Sequence, residues 1–275
     1  MAPSGGASFP ASLVLVGAGK MGGALLQGWL DLGLDAARIS VVEPEPGPEL
    51  RALCTERGIA LAWPQTPPEA LVLAIKPQML DAAAPQIAAH AGDATLVVSI
   101  LAGKTIANVL SRLPQARAVV RAMPNLPAAI GRGMTGAVGN AAVTAAQRHC
   151  ADALLSAVGQ VEWLDDESLI DAVTAVSGSG PAYVFYLAEC LAEAGRKAGL
   201  PADMAERLAR ATVEGAGALL EQRPENSAAA LRESVTSRGG TTAAALEVLG
   251  SAGGLGELIE KAVLAARKRA EELSG

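Results

Sequence analysis

The feature that most constrains this chain is a glycine-rich segment near its start, Gly17-Ala18-Gly19-Lys20-Met21-Gly22. An apolar run typical of a buried strand precedes it at residues 11–16, and a segment with the pattern of a helix follows at residues 20–32. A G-x-G-x-x-G motif in this context is the fingerprint of a dinucleotide site. The three glycines permit a tight turn, close approach to a pyrophosphate, and close packing of helix on strand. We therefore predict that this loop binds a dinucleotide cofactor.

The first part of the chain alternates between apolar runs and helical segments. Further strands are predicted at residues 38–43, 70–75, 95–100 and 116–122. Their apolar runs are continuous, as in a parallel sheet that helices cover on both faces. Two edge strands are predicted in addition, at residues 135–138 and 158–163.

From residue 166 onward the pattern predicts helices alone, separated by breaks such as Gly199-Leu200-Pro201 and Arg223-Pro224. The predicted fold class is therefore α/β, with a Rossmann-like doubly wound domain at residues 1–165. An all-α C-terminal domain follows at residues 166–275. We expect the first domain to bind the dinucleotide, and the second to bind substrate and to dimerise.

Composition and charge exclude several other classes of protein. No apolar run reaches the roughly 20 residues that span a bilayer, although 51% of the residues are hydrophobic. The net charge of −6 and the lack of a long basic run argue against nucleic-acid binding. Residues 1–10 lack the pattern of a signal peptide. The three cysteines fit neither a disulfide framework nor a zinc site. We expect a cytoplasmic protein with no metal, no membrane partner and no nucleic-acid partner.

Three further strand ends are candidates for the cofactor crevice. Glu43 ends the second strand, about 20 residues after the motif, where an acid commonly accepts hydrogen bonds from the adenine ribose. A carboxylate there repels a 2′-phosphate, which favours NAD, unless Glu43 instead turns outward to cap the next helix. Ala74-Ile75-Lys76-Pro77 follows the third strand, and Lys76 either contacts the dinucleotide or stays in water. Residues 99–103, with Ile100, Leu101 and Ala102, are expected near the nicotinamide.

Side chains for acid–base or nucleophilic catalysis are scarce. The two histidines, His90 and His149, both lie in predicted helices away from strand ends, so the cofactor must supply the chemistry. Two Gly/Ser-rich helix starts remain, at residues 177–181 and 237–242. Bare backbone N–H groups and hydroxyls suit a small carboxylate, and ordinary capping with a tight helix crossing is the alternative.

At these segments the chain resembles the pyrroline-5-carboxylate reductase family along nearly its whole length. The matching segments are residues 17–22, 74–78, 121–125, 175–183 and 235–246. The last of these, V-T-S-R-G-G-T-T-A-A-A-L, resembles the family signature and is far more specific than the glycine motif. One departure is Gly250, where the signature usually ends in an acidic or amide residue; the loop itself is intact.

The resemblance implies reduction of the cyclic imine 1-pyrroline-5-carboxylate to L-proline by NAD(P)H, the last step of proline biosynthesis. It implies homodimers that often assemble further, commonly to a decamer. By position, the substrate carboxylate and ring nitrogen are expected at Ser237, Gly239, Gly240, Thr241 and Thr242. Thr242 is the candidate hydrogen-bond partner of the imine nitrogen, and Asn125 is a candidate cofactor contact. The family generally prefers NADPH, so we expect NADP, with NAD as the alternative that Glu43 supports.

Three other functions compete with this interpretation. A β-hydroxyacid dehydrogenase shares the G-x-G-x-M-G pattern, but it needs a lysine proton donor, and residues 183–194 contain none. A dinucleotide-sensing protein without catalysis is opposed only by the second glycine loop. A scaffold that has lost activity is disfavoured because both loops are complete. The sequence does not determine the cofactor preference, the oligomer size, proline feedback or activity on other cyclic imines.

Overall fold

The computed structural model describes residues 9–274, which form two compact units. The first unit contains the described residues up to Gly178 together with those from Arg267 onward. The second unit is Ser179–Ala266. The division after Gly178 lies 13 residues beyond the end of the expected first domain at 165, because the segment between them packs on the sheet of the first unit.

The first unit contains a seven-stranded sheet, which confirms the predicted doubly wound architecture. Its strands are β1 Leu13–Val16, β2 Ile39–Val42, β3 Ala70–Leu73, β4 Leu96–Ser99, β5 Ala118–Met123, β6 Gly133–Gly139 and β7 Gly159–Trp163. Their order is β2-β1-β3-β4-β5-β6-β7, and β1 to β5 are parallel. Because the order reverses at β1, the carboxyl ends of β1 and β3 form the switch point where ligands of such sheets bind.

One sequence-based expectation about the sheet is wrong. β6 is not an edge strand, because it pairs antiparallel with β5 on one side and parallel with β7 on the other. Glycines allow neighbouring elements to cover it closely. A Cβ atom added at Gly136 would lie 2.8 Å from Val173, and one added at Gly133 would lie 3.0 Å from Ala128. Only β7, of the two predicted edge strands, lies at an edge.

Helices cover both faces of this sheet. They are α1 Lys20–Asp31, α2 Pro48–Arg57, α3 Leu80–His90, α4 Ile106–Leu110, α5 Ala145–Ser156 and α6 Leu169–Val173. Leu13 and Leu15 of β1 pack into one buried cluster, whereas Val14 and Val16 pack into a second cluster. Alternate residues of one strand therefore enter two separate apolar layers, which explains the continuous apolar runs. Gly58 ends α2 in the left-handed conformation with a φ of 71°, as glycine commonly does at a helix C-terminus.

The second unit is helical within the described residues, as predicted. Its helices are α7 Gly180–Lys197, α8 Ala202–Gln222, α9 Ala228–Ser234, α10 Thr241–Leu249 and the first part of α11 Leu255–Ser274. Small residues allow α7 and α8 to approach closely, since a Cβ atom added at Gly195 would lie 3.2 Å from the Cβ of Ala205. No helix within residues 9–274 combines the length and the apolar character that crossing a bilayer requires.

Candidate active site

The turn after β1 can only be built with glycine at its first position. Gly17 has a φ of +90°, which side-chain-bearing residues rarely adopt, and its N–H donates to the carbonyl of Val42 at 2.9 Å. A Cβ atom there would lie 2.8 Å from the carbonyl of Ala74 and 2.8 Å from the nitrogen of Ile75. The structure therefore brings the glycine motif and the predicted loop after β3 together at the switch point.

The other two motif glycines differ in what surrounds them. A Cβ atom at Gly22 would lie 2.2 Å from the Gly17 carbonyl oxygen, so α1 packs directly on the turn. Gly19 precedes α1, is exposed, and has nothing within 4 Å of an added Cβ atom. The helix begins without a side-chain cap and without an acidic residue in its first turn. This arrangement fits a pyrophosphate, which needs free N–H groups and an unobstructed approach.

Glu43 turns toward the glycine motif and not toward the next helix. Its Oε2 accepts a hydrogen bond from the N–H of Ala18 at 3.0 Å, and its side chain is partly exposed. The carboxylate thus lies at the edge of the loop, where an adenine ribose is expected. Of the remaining motif residues, Lys20 is exposed and Met21 packs against the buried cluster on one face of the sheet.

Two more predicted loops continue from the same edge of the sheet. The N–H of Ala74 donates to Val16 at 2.8 Å, so the β1–β3 pairing extends into the loop that contains Lys76 and Pro77. Lys76 is exposed and precedes a short 3-10 turn. In the loop after β4, the N–H of Ile100 donates to Leu73 at 3.0 Å. Leu101 is buried there and Ala102 is exposed.

Asn125 follows β5, and its side chain connects three parts of the first unit. Its Nδ2 donates to the carbonyl of Ser177 at 3.3 Å and to the Ser177 Oγ at 3.1 Å. Its Oδ1 accepts from the N–H of Met134 at 2.9 Å. These hydrogen bonds hold the end of β5 to the start of β6 and to Ser177. The sequence identified Asn125 and Ser177 separately but gave no signal that they form a pair.

The predicted substrate segment lies in the second unit and forms a tight turn. The N–H of Gly240 donates to the Ser237 carbonyl at 3.0 Å, and Gly239 has a φ of 72°. A Cβ atom at Gly240 would lie 2.4 Å from the Ser237 Oγ, so this hydroxyl rests against bare backbone. Thr241 begins α10, which has no side-chain cap, and Thr242 is partly buried. This local geometry exposes backbone N–H groups as carboxylate binding requires.

Two buried cysteines and one histidine lie in surroundings that do not favour catalysis. Burial raises the pKa of the Cys54 thiol, and burial assisted by the charge of Glu69 raises that of Cys150 to about 12. Both thiols therefore stay protonated and are poor nucleophiles near neutral pH. His90 stacks on Trp63 with ring centroids 4.3 Å apart. No cluster of three or more metal-ligating side chains occurs within residues 9–274.

Two family models match separate parts of the chain. One, described as pyrroline-5-carboxylate reductase dimerisation, matches residues 167–273. The other, described as NADP oxidoreductase coenzyme F420-dependent, matches residues 12–103. The first match covers the helical second unit, and the second covers β1 to β4 with the glycine motif.

Similarity to individual proteins extends over nearly the entire chain. The chain is 42% identical over 267 residues to a pyrroline-5-carboxylate reductase of Pseudomonas aeruginosa, covering 95% of this chain and 96% of that protein. A Coxiella burnetii pyrroline-5-carboxylate reductase structure superimposes with a TM-score of 0.89 at 35% identity, covering 97% and 99% of the two chains. A Plasmodium falciparum pyrroline carboxylate reductase, solved with NADP bound, shares the fold at 23% identity and a TM-score of 0.79, covering 98% and 100%. The chain therefore belongs to the pyrroline-5-carboxylate reductase family of NAD(P)-dependent oxidoreductases.

Proposed function

We propose that this protein reduces 1-pyrroline-5-carboxylate to L-proline with a reduced nicotinamide dinucleotide. The observation that carries the proposal is the turn from Ser237 to Thr242, which presents uncapped helix N–H groups in a member of this family. A small ring carboxylate is the ligand that such a turn suits. We propose that the dinucleotide is surrounded by the predicted residues of the glycine motif, by those of the loops after β2, β3 and β4, and by Asn125.

The protein's task in this reaction is mainly orientation. When bound, the nicotinamide supplies a hydride to the imine carbon, and the ring nitrogen keeps the proton that makes the imine electrophilic. Ser237, Gly239, Gly240 and Thr241 hold the substrate carboxylate, and Thr242 Oγ hydrogen-bonds the ring nitrogen. Fixing the reacting atoms in this way replaces side-chain acid–base catalysis.

We propose NADPH as the preferred donor, in line with the family resemblance. NADH is the second candidate, and the position of Glu43 supports it, because a carboxylate beside the Ala18 N–H opposes a 2′-phosphate. Comparing kcat/KM for the two donors decides between them. In the Glu43→Gln variant the charge is lost while an acceptor for the Ala18 N–H remains. We expect its ratio of NADPH to NADH activity to rise above that of the unmodified protein; an unchanged ratio would remove Glu43 from cofactor selection.

A dehydrogenase of the β-hydroxyacid class fits the structure less well. α7 runs from Gly180 to Lys197 and has its one lysine at its last residue, so the helix offers no lysine proton donor earlier along its length. A dinucleotide sensor would bind the cofactor and show no oxidation of it with the imine.

We further propose that the protein is a cytoplasmic homodimer, or a decamer built from dimers.

The test of Thr242 is a steady-state assay at the nicotinamide absorbance band with 1-pyrroline-5-carboxylate. Thr242→Ala is expected to lower kcat on the order of 10²-fold while changing the cofactor Kd much less. Thr242→Ser keeps the hydroxyl and is expected to retain most activity. Thr236→Ala is the matched control, because that hydroxyl already donates to the Arg232 carbonyl at 2.6 Å. Turnover equal to the unmodified protein in Thr242→Ala would exclude this residue from the mechanism.

A further inference from the structure

The loop that joins β4 to α4 is held by residues that its own sequence does not include. The segment runs from Ile100 to Thr105, and Thr105 caps α4 through the N–H of Asn108 at 3.1 Å. Gly103 has a φ of 71° within it. This is the loop expected beside the nicotinamide, so its exact position bears on hydride transfer.

The end of α11 packs directly on this loop. A Cβ atom at Gly103 would lie 3.0 Å from the carbonyl oxygen of Leu273 and 3.2 Å from the Leu273 Cβ. Leu273 is 57% exposed, so it contributes little to the buried core, and Gly103 of the loop lies against it. The last turn of α11 therefore packs against the loop, and both belong to the first unit.

A buried arginine connects the same loop to the same end of α11. Arg121 lies opposite Ser99 in the β4–β5 register, and its side chain is 5% exposed. Its Nη1 donates to Glu167 Oε1 at 2.9 Å, and that same oxygen accepts the N–H of Ile106 at 2.8 Å. Glu167 thus ties the far end of the loop to Arg121.

The second guanidinium nitrogen of Arg121 faces the C-terminal end of α11. Nη2 lies 3.4 Å from Ser274 Oγ and 3.6 Å from Asp171 Oδ1, and Ser274 donates to the same Asp171 oxygen at 3.1 Å. A charge this buried is costly to leave unpaired, so the arrangement resists displacement. Arg121, Glu167, Asp171 and Ser274 together form what we call the arginine clamp.

We propose that Leu273 and Ser274, acting with the arginine clamp, are positioning residues that hold the 100–105 loop in place for hydride transfer. The reaction named here rests on the proposed function. The loop is held in its middle and at both ends. Gly103 in the middle lies against Leu273. Ser99, just before the loop, pairs with Arg121, and Ile106, just after it, donates its N–H to Glu167. Releasing one of these points lets the loop shift, and a misplacement of about 1 Å at a reacting centre costs on the order of 10²-fold in rate.

The experiment compares a Leu273→Ala/Ser274→Ala double variant with a Glu271→Ala/Glu272→Ala control. The control residues are adjacent, and the described contacts of their side chains are surface ion pairs to Arg267 and Arg269. The first readout is hydrogen exchange of the backbone amides of Ile100, Leu101, Lys104 and Ile106 in the protein without cofactor. We expect exchange to be about tenfold faster in the double variant and unchanged in the control.

The second readout separates positioning from binding and from folding. In the double variant we expect kcat to fall about tenfold, the cofactor Kd to change less than about twofold, and the thermal midpoint to stay within about 2 °C. Leu273→Met/Ser274→Thr keeps the contacting groups and is expected to restore both exchange and kcat.

Unchanged amide exchange in the double variant overturns the proposal, as does an equal loss of kcat in the control. An unmodified protein without activity on the imine overturns the proposed function instead. In that case the exchange measurement still decides whether the end of α11 holds the loop.

Discussion

At the scale of single residues, the structure shows that some glycines of the motif are required by the fold and that one is not. Gly17 and Gly22 are required by the folded chain itself, because added Cβ atoms would lie 2.8 Å and 2.2 Å from backbone atoms. Gly19 has open space around it, so nothing in the described chain requires a glycine there. A glycine that is not required for folding but is required for a ligand to approach indicates a binding site.

This difference predicts opposite outcomes for two alanine variants. Gly19→Ala is expected to unfold at the same temperature as the unmodified protein and to bind the dinucleotide at least about tenfold more weakly, because the methyl group obstructs the pyrophosphate. Gly22→Ala is expected to lose about 1–3 kcal/mol of stability or more, as overpacking does. Gly23→Ala is the control, since its added Cβ atom is at an ordinary 3.6 Å from the Ala18 oxygen. Thermal unfolding and cofactor fluorescence titration measure both quantities; an unaltered affinity in Gly19→Ala would contradict the account.

At the scale of elements, local pattern predicted most of the secondary structure. The helix predicted at residues 20–32 is α1 Lys20–Asp31, so its end differs by one residue, and the region after residue 166 is helical as predicted. Such segments carry their signals nearby, in caps, breaks and periodicity. The place of β6 in the sheet could not be derived, because a strand rich in glycine has few side chains to specify its neighbours.

The arginine clamp was beyond sequence reasoning for a related reason. Arg121 occurs within an apolar strand, and its partners Glu167, Asp171 and Ser274 lie far along the chain. The one signal in the sequence was a charged residue inside a predicted strand. Such a residue indicates that an oppositely charged partner exists, but it does not identify the partner. The same limit applies to the pairing of Asn125 with Ser177.

Removing the charge from the clamp is expected to be costly. Arg121→Met removes the cation that pairs with both Glu167 and Asp171, and we expect a loss of about 3–5 kcal/mol in the free energy of unfolding. Arg269→Met breaks an exposed pair with Glu272 and should change stability by less than about 1 kcal/mol. Urea unfolding followed by circular dichroism measures both. Equal stability of the two variants would show that the clamp does not stabilise the first unit.

At the scale of the whole molecule, many of the exposed large apolar side chains belong to the second unit, and contiguous sets of such side chains mark interaction surfaces. On α7 alone, large apolar side chains that are at least 42% exposed occur at Val184, Phe185, Tyr186, Leu187 and Leu191. The family model for dimerisation matches this part of the chain. Both observations support assembly through the helical unit.

Assembly through α7 can be tested by charge substitution. Phe185→Glu places a carboxylate in the middle of the exposed apolar set, and we expect it to shift the protein from dimer or larger to monomer in light scattering after size-exclusion chromatography. Lys197→Glu changes charge at the exposed end of the same helix and is expected to leave the assembly intact. A Phe185→Glu protein of unchanged mass would place the contact elsewhere.

In the proposed reaction, hydride passes directly from a dinucleotide at the glycine loop to a ring acid held by the 237–242 turn. The most direct measurement uses the reduced dinucleotide deuterated at the transferring C4 position together with 1-pyrroline-5-carboxylate. We expect proline with one deuterium at the former imine carbon, formed at the same rate as the oxidised cofactor. Proline without deuterium, or no oxidation of NADPH and NADH with this imine, would contradict it.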